Sequence, residues 1–475
     1  MLTFIKLVTI ALSFVVTRLL SQFLSKHDYG TYSQILLIVS TVTSVTILGM
    51  ADGVNYFYCS RPEDKEAYVS TIYTLQCMIS AFAGALVLIL TKPICLYFDN
   101  PDVKRLLIFG ASLPLLQNLL SMTQVLLVSV GKARMLAIRN LVVSLVRLAA
   151  VVAVILLVKD VSLILSATVL MDVAQVLLFA QILRKNGCLI RMKSTDFKLL
   201  RTIFSYCAPM AVFTLLNTLN RDCDKYLIGL MTDTETLATY SNASKVLPFD
   251  LIAASFMTVL LPQITRYIAS KSYETARNLY RAFLEITYIS TTILCCAVLA
   301  VAPQTVQLLY SAKYLEGVPV FCVYVLVDLL RFTNITLILS AAGKTKKLMV
   351  LSLGALVTNA VLNIVLFWLL GVIGPAIATL ITSMLLGLIM MCTSAKELHG
   401  TLTDFFDLKY LLPFMTAAAG LAAVLWFAQK LLAPHLPYWI VLAVIAGIYA
   451  AVMGILCMKR FVRAIKQVNA LSKQP

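Results

Sequence analysis

Apolar windows long enough to cross a bilayer recur along almost the whole chain. A helix needs about 20 residues to traverse the hydrocarbon core. We find such windows at residues 3–24, 31–55, 68–91, 104–129, 137–158, 162–184, 202–228, 237–262, 279–301, 317–341, 348–369, 371–393, 410–431 and 438–458. Because the runs are continuous and do not alternate with a period of two, they predict helices and not a β-barrel. We therefore expect an all-α polytopic membrane protein with about 14 transmembrane helices.

The composition supports lipid as the solvent and leaves no room for a soluble catalytic domain. Of the 475 residues, 60% are hydrophobic and 13% are charged, against about 25% charged in ordinary globular proteins. The eleven cysteines form no C-x-x-C pair, and the three histidines lie far apart, so no metal-ligand spacing is present. No catalytic motif is found either. We expect a protein that is not an enzyme, with no catalytic residue, cofactor or metal.

The distribution of positive charge predicts an orientation. The chain carries 39 Lys and Arg against 22 Asp and Glu, a net charge of +17. If the N-terminus is cytoplasmic, the loops on the outer side hold only Lys26, Lys92, Lys159 and Lys313. The inner loops and the C-terminal tail hold all the other loop cations. The positive-inside rule then places both termini in the cytoplasm.

Two short motifs recur at nearly the same offset. Residues 28–33 (DYGTYS) match residues 236–241 (TLATYS), 208 positions later, and the Gly-Lys pair at 131–132 recurs at 343–344. These matches indicate two six-helix halves. Since six is even, the halves would run parallel and be related by an axis along the membrane normal, as in several transporters.

This repeat predicts the domain organisation. An N-terminal half would cover residues 1–184, and a basic cytoplasmic linker would cover 185–201. A C-terminal half would cover 202–393, and two additional helices with a basic tail would cover 394–475.

Ionisable residues inside apolar spans are the candidate functional groups, because each costs about 2.5–3.5 kcal/mol at a helix centre on the insertion scale. Arg18 and Arg147 have no carboxylate within four residues, so each needs either a functional cavity or a structural partner on another helix. Lys225 lies in a nearly neutral run of charges, and Arg331 is three residues from Asp328, which can neutralise it. Six further charged groups in the spans are candidate supporting or coupling residues: Asp52, Asp172, Asp224, Lys245, Asp250 and Asp328.

Several short patterns together resemble a known family of transporters. The chain is similar to the polysaccharide transporters, the Wzx-type O-antigen flippases of the MOP exporter superfamily. The resemblance rests on Leu24-x-x-x-Asp28-Tyr29-Gly30-x-Tyr32, on Pro209, Asp224, Tyr240 and Leu261-Pro262, and on Asn359-x-x-x-Asn363-Ile364 followed by Gly371-x-x-Gly374.

The resemblance implies a V-shaped, MATE-like transporter of two six-helix halves plus two C-terminal helices. It also implies alternating-access export of a polyprenyl-pyrophosphate-linked oligosaccharide, a repeat unit of O-antigen (lipopolysaccharide), capsule or exopolysaccharide, across a bacterial inner membrane. Expected partners are membrane lipid, a polysaccharide polymerase, a chain-length regulator and a coupling proton or sodium ion, with no nucleic acid. Arg18, Arg147, Lys225 and Arg331 would form a cationic cavity for the pyrophosphate.

Two other functions remain open at this point. A multidrug cation antiporter of the same superfamily is expected to have cavity carboxylates in its first helix, but span 3–24 has no Asp or Glu and contains Arg18. A membrane-embedded polysaccharide polymerase typically has a large external loop or domain. The longest predicted outer loop here, residues 302–316, is short, which disfavours this alternative.

Overall fold

The computed structural model describes residues 2–60, 63–130, 132–158, 160–185, 190, 194–245, 247–250, 260–261, 263–330 and 336–471. All regular structure within these ranges is helical, and none of the described residues lies in a strand. Among the described residues, nine helices are long and apolar enough to cross a membrane, beside a shorter apolar helix near the N-terminus. The all-α membrane architecture is therefore confirmed, while the expected number of 14 spans is not.

The chain divides into two compact units, Met1–Ser241 and Asn242–Pro475. Among the described residues, the first unit contains ten whole helices and most of an eleventh. They are α1 (Leu2–Phe23), α2 (Lys26–Thr46), α3 (Met50–Ser60), α4 (Lys65–Ile89), α5 (Thr91–Tyr97), α6 (Val103–Gly110), α7 (Leu113–Ser129), α8 (Ala133–Leu157), α9 (Val161–Lys185), α10 (Leu200–Met231) and α11 (Thr234–Ala243). A 3₁₀ turn at Phe197–Leu199 precedes α10.

The second unit begins within the last turn of α11 and has a 3₁₀ turn at Pro248–Asp250. Its helices are α12 (Tyr273–Ala300), α13 (Ala302–Leu309), α14 (Val318–Leu330), α15 (Leu337–Ala341), α16 (Thr345–Leu370), α17 (Gly374–Glu397), α18 (Leu408–Leu432) and α19 (Tyr438–Leu471). Further 3₁₀ turns lie at Ala312–Gly317, Gly371–Ile373 and Leu402–Asp404.

Two of the predicted spans are each built from two helices. The span 31–55 is divided between α2 and α3, because Leu48 and Gly49 both have positive φ and interrupt the hydrogen-bond ladder. The span 104–129 is divided between α6 and α7 at Ala111–Ser112, just before Pro114, which lacks a backbone N–H.

The core of the first unit combines aromatic packing with a buried polar network. Phe57 of α3 stacks on Tyr68 of α4 with ring centroids 4.4 Å apart. Gln76 of α4 donates to the Thr46 carbonyl of α2 at 3.1 Å, and Asn118 of α7 donates to Thr46 Oγ1 at 2.7 Å. Such interhelical hydrogen bonds hold helices together where lipid supplies no hydrophobic driving force.

A close approach joins the beginnings of α2 and α11 in the same unit. A Cβ atom added to Gly30 would lie 2.2 Å from the carbonyl oxygen of Thr234, so only glycine fits there. Gln34 Nε2 also donates to Thr234 Oγ1 at 3.3 Å. The two copies of the first recurring motif, residues 28–33 and 236–241, thus begin close to one another.

In the second unit, α12 is the central helix and packs on α14, α18 and α19. Residues 302–316, expected to be an outer loop, instead form α13 and most of a 3₁₀ turn. Gln304, Tyr310 and Tyr314 in this segment are buried, so it belongs to the packed body of the unit.

The first compact unit ends at Ser241 and includes α10, which packs on α2 and α3. The relation between two six-helix halves stays a prediction, as do the boundaries drawn from it.

Candidate functional site

Two arginines of α8 surround a carboxylate of α9. Asp172 attracts both Arg147 and Arg139 electrostatically. Gln175 donates to Asp172 Oδ1 at 3.1 Å and accepts a hydrogen bond from Arg139. The Arg139 guanidinium also lies over the ring of Phe179, 4.6 Å from its centroid. We call Arg139, Arg147, Asp172 and Gln175 the α8–α9 cluster.

The α8–α9 cluster has more positive than negative groups, since two guanidiniums face one carboxylate, a formal charge of +1. Arg147 is exposed on its unit beside the exposed apolar residues Leu145 and Val146. A guanidinium cannot rest bare in hydrocarbon, so this position requires water, a partner or a ligand. The cluster is suited to holding an anion.

A second charged group lies along α10. Asp222 is buried and binds two cations: Lys225 Nζ donates to Oδ1 at 2.8 Å, and Arg221 donates to Oδ2 at 3.0 Å. Arg221 reaches Ser40 of α2 as well, at 3.3 Å. We call Arg221, Asp222 and Lys225 the α10 cluster, and its two cations and one carboxylate also sum to +1.

The flanking residues of α10 form hydrogen bonds that hold the helix in place. Asp224 is buried and accepts a hydrogen bond from the Tyr240 hydroxyl at 2.8 Å. Tyr226 donates to the Leu37 carbonyl of α2 at 3.2 Å, and its own carbonyl accepts from Tyr97 at 2.8 Å. Asp224 therefore has a structural contact in this unit.

The remaining predicted residues of the first unit are Arg18 and Asp52. Arg18 is half-buried on α1, a helix that packs on α8. Asp52 lies exposed in the first turn of α3. It is close enough to Tyr206 and Cys207 of α10 to interact with them electrostatically.

In the second unit the predicted charges have local roles. Asp328 is buried, and its Oδ2 accepts a hydrogen bond from the Leu247 backbone N–H at 3.0 Å. Lys245 donates to Asn242 Oδ1 at 3.3 Å and lies over the Tyr310 ring, 5.6 Å from its centroid. The Asp250 backbone ends a 3₁₀ turn. Arg331 lies outside the described residues, so its predicted pairing with Asp328 stays a prediction.

Sequence reasoning missed Arg139 and Gln175, although both take part in the α8–α9 cluster. Arg139 and Arg147 are eight residues apart, a spacing that places them near one face of a helix. That spacing is the signal that could have found Arg139. Within the described ranges, no group of three or more His, Cys, Asp or Glu is placed to hold a metal ion.

The chain has a clear family match. A family profile described as "Polysaccharide biosynthesis protein" matches residues 19–319. The chain belongs to this family. No curated protein sequence matches the chain.

Solved structures of the MOP superfamily share the fold. The structure titled "Lipid II flippase MurJ, inward closed conformation" has a TM-score of 0.73 at 15% identity, over 96% of this chain and 99% of that one. An inward-facing multidrug resistance MATE transporter has a TM-score of 0.68 at 11% identity, over 82% and 94%.

A third similar structure is a MOP superfamily transporter from Pyrococcus furiosus, whose title reports reverse polarity of the binding pocket. It has a TM-score of 0.58 at 12% identity, over 84% of this chain and 94% of that chain. The fold of the polysaccharide biosynthesis protein described here is therefore MurJ- and MATE-like.

Proposed function

We propose that this polysaccharide biosynthesis protein is a flippase that carries a polyprenyl-pyrophosphate-linked oligosaccharide across the bacterial inner membrane by alternating access. The substrate would be a repeat unit of O-antigen, capsule or exopolysaccharide. It would enter from the cytoplasmic leaflet, and both termini of the protein would lie in the cytoplasm. A polysaccharide polymerase would receive the exported unit.

The observation that carries this proposal is the cationic excess of the α8–α9 cluster. A pyrophosphodiester carries about two negative charges and cannot cross hydrocarbon without groups that replace its hydration. Guanidinium is suited to this role because it offers forked, bidentate contacts to phosphate oxygens and stays charged at physiological pH. Arg147 is the exposed member of the cluster, so it is the proposed contact for the pyrophosphate.

Family and fold support the same function. The family match concerns polysaccharide biosynthesis, and a similar fold belongs to a flippase whose printed substrate is lipid II. Lys225 and Arg221 would add a second positive site in the same unit, held in position by Asp222. Arg18 and Arg331 complete the proposed cationic set.

The charge of α1 distinguishes this proposal from a multidrug cation antiporter. Its sequence, Leu2–Phe23, contains no Asp or Glu and carries Arg18. A cation substrate would meet repulsion there, whereas an anionic one would be attracted. The coupling ion, a proton or sodium, would then act elsewhere, with Asp52, Asp172, Asp224, Lys245, Asp250 and Asp328 as candidates.

The deciding experiment identifies the lipid that accumulates when the protein is absent. We expect deletion cells to accumulate a polyprenyl-pyrophosphate oligosaccharide, detected by mass spectrometry of extracted lipids, and the intact gene to clear it. As a matched control, the Arg105→Ala variant should clear it equally well, because Arg105, in the first turn of α6, is exposed and pairs with Asp160 just before α9. Normal lipid levels combined with sensitivity to cationic drugs would instead indicate an antiporter.

A further inference from the structure

A polar cavity of about 540 Å³ opens in the second unit, where α12 begins and α19 ends. Its charged lining consists of three arginines and two carboxylates, a formal charge of +1: Arg281, Arg460, Arg463, Glu285 and Asp407. The amides of Asn278 and Gln467 add neutral hydrogen-bond donors. The cavity belongs to the second unit, whereas the α8–α9 and α10 clusters belong to the first.

The charges of the cavity are unequally engaged. Arg460 pairs with both carboxylates: it donates to Glu285, and its Nη2 lies 2.6 Å from Asp407 Oδ2. Arg281 and Arg463 are exposed at the two sides of the cavity. Arg281 also interacts electrostatically with Asp407, but the hydrogen bonds to both carboxylates come from Arg460. The guanidiniums of Arg281 and Arg463 therefore keep N–H donors for an anion.

A separate apolar groove lies further along the same two helices. It has a volume of about 260 Å³ and is lined by Ile293 and Leu294 of α12 and by Gly454, Met458 and Phe461 of α19. Cavity and groove follow one stripe of α12, since residues 281, 285, 289 and 293 recur every four positions. A Cβ on Gly454 would meet no atom within 4 Å, so the glycine leaves the groove open.

The length of α19 indicates that the cavity and the groove lie at different depths of the membrane. Its 34 residues extend over about 51 Å at 1.5 Å per residue. The hydrocarbon core is about 30 Å thick, so one end of α19 must extend into the headgroup region. The polar end with Arg463 is suited to the headgroups, and the groove around Gly454 is suited to acyl chains.

We propose that this cavity and groove form a binding site for an anionic glycerophospholipid of the surrounding membrane. The lipid phosphate would bind Arg281 and Arg463, with Asn278 and Gln467 as further donors, and one acyl chain would lie in the groove beside Gly454. The positive formal charge of the cavity complements a phosphodiester, and charge-assisted contacts of guanidinium to phosphate are strong. The site goes beyond the proposed export function, because its ligand stays in the membrane.

Native mass spectrometry of the full-length protein in detergent tests the site, with phosphatidylglycerol as the probe. The double variant Arg281→Gln/Arg463→Gln should bind the lipid at least about tenfold more weakly, the loss of about one charge-assisted hydrogen bond. A matched control, Arg184→Gln/Arg201→Gln, makes the same charge change at exposed positions of the first unit and should leave binding unchanged. Equal loss in both double variants, or none in the first, would overturn the proposal.

A second pair of variants separates a lipid from a free phosphate. Gly454→Leu fills the groove and should weaken phosphatidylglycerol binding, whereas Gly447→Leu, on the same helix but outside the groove with open space around it, should not. Glycerol phosphate and inorganic phosphate should bind far more weakly than the lipid. If inorganic phosphate binds as tightly as the lipid and Gly454→Leu has no effect, the cavity is a free-anion site and the lipid assignment is wrong.

Discussion

The α8–α9 cluster and the Arg460 triad, in which Arg460 binds Glu285 and Asp407, have opposite ratios of cations to carboxylates. In the first, Arg139 and Arg147 share one carboxylate, Asp172. In the second, one guanidinium, Arg460, binds two carboxylates, Glu285 and Asp407. Arg460 also stacks over the Tyr410 ring, 3.8 Å from its centroid.

The difference shows how a membrane protein can use the same residue type for two purposes. A cation outnumbered by carboxylates has its charge satisfied by the protein and mainly holds helices together. A cation that shares its carboxylate with another cation retains attraction for an external anion. We therefore expect changes at Arg147 to affect transport, and changes at Arg460 to affect stability.

The largest expected effect is on export by Arg147→Ala. We expect a loss of about 100-fold or more, the cost of removing a charge-assisted contact of about 3 kcal/mol, measured by clearance of the accumulated lipid-linked oligosaccharide. Arg147→Lys should retain part of the activity, because it keeps the charge but loses the forked geometry. Expression and size-exclusion profiles should match those of the parent protein. Normal export by Arg147→Ala, or failure to fold, would make the residue structural and remove the contrast.

Arg460→Ala should instead lower the free energy of unfolding by about 2 kcal/mol, because it leaves two half-buried carboxylates without their hydrogen-bond donor. Thermal unfolding in detergent measures this change. Lys459→Ala, at the neighbouring exposed position, should change stability by no more than about 0.5 kcal/mol. Equal stability of the two variants would show that the triad does not hold α12 to α19.

Asp222→Asn tests the α10 cluster, which has the same ratio of two cations to one carboxylate as the α8–α9 cluster. The change leaves Arg221 and Lys225 without their shared carboxylate, so we expect a loss of about 2 kcal/mol in stability. Asp64→Asn is the matched control, since Asp64 precedes α4 without a capping hydrogen bond. If both variants unfold at the same temperature, Asp222 is not needed to hold the two cations.

The smallest expected effect depends on pH. The hydrogen bond from Arg460 lowers the pKa of the Asp407 carboxyl below its ordinary value of 3.8, and the nearby positive charges of Arg460 and Arg281 act in the same direction. The ionised carboxylate therefore stabilises the fold fully at neutral pH, and this contribution is lost as the pH falls through the folded-state pKa.

Asp407→Asn should thus lower the free energy of unfolding by about 1 kcal/mol near pH 7. The difference in stability between this variant and the parent protein should shrink toward about pH 3. Thermal unfolding across this range measures the difference. A difference that stays constant with pH would show that the charge of Asp407 contributes nothing to the triad.

Much of the fold could be predicted from the sequence, because continuous apolar runs in a lipid environment leave helices as the one arrangement that fits. The breaks inside those runs were harder to find. The break at Leu48 requires a leucine with positive φ, which no local pattern announces. By contrast, Pro114 marks the break between α6 and α7 directly in the sequence.

The candidate site was only partly visible in the sequence. Arg147 has no carboxylate nearby on its own helix, and the structure places Asp172 of α9 close enough to interact with it electrostatically. Whether Arg147 serves transport or structure stays a prediction. Arg139 was missed because its contacts with Gln175 and Phe179 cross between helices. Likewise, the bond from the Leu247 N–H to Asp328 joins residues 81 positions apart, so spacing along one helix could not reveal it.

The contact of Gly30 with Thr234 has a mechanical consequence. Even one methyl group at position 30 would lie 2.2 Å from the Thr234 carbonyl oxygen and clash with it. Alanine there would therefore force α2 and α11 apart. Such a variant cannot adopt any state in which these two helices are in contact as described, but it can adopt states in which they are apart. A single carbon atom at this position could thus trap the chain on one side of a conformational cycle.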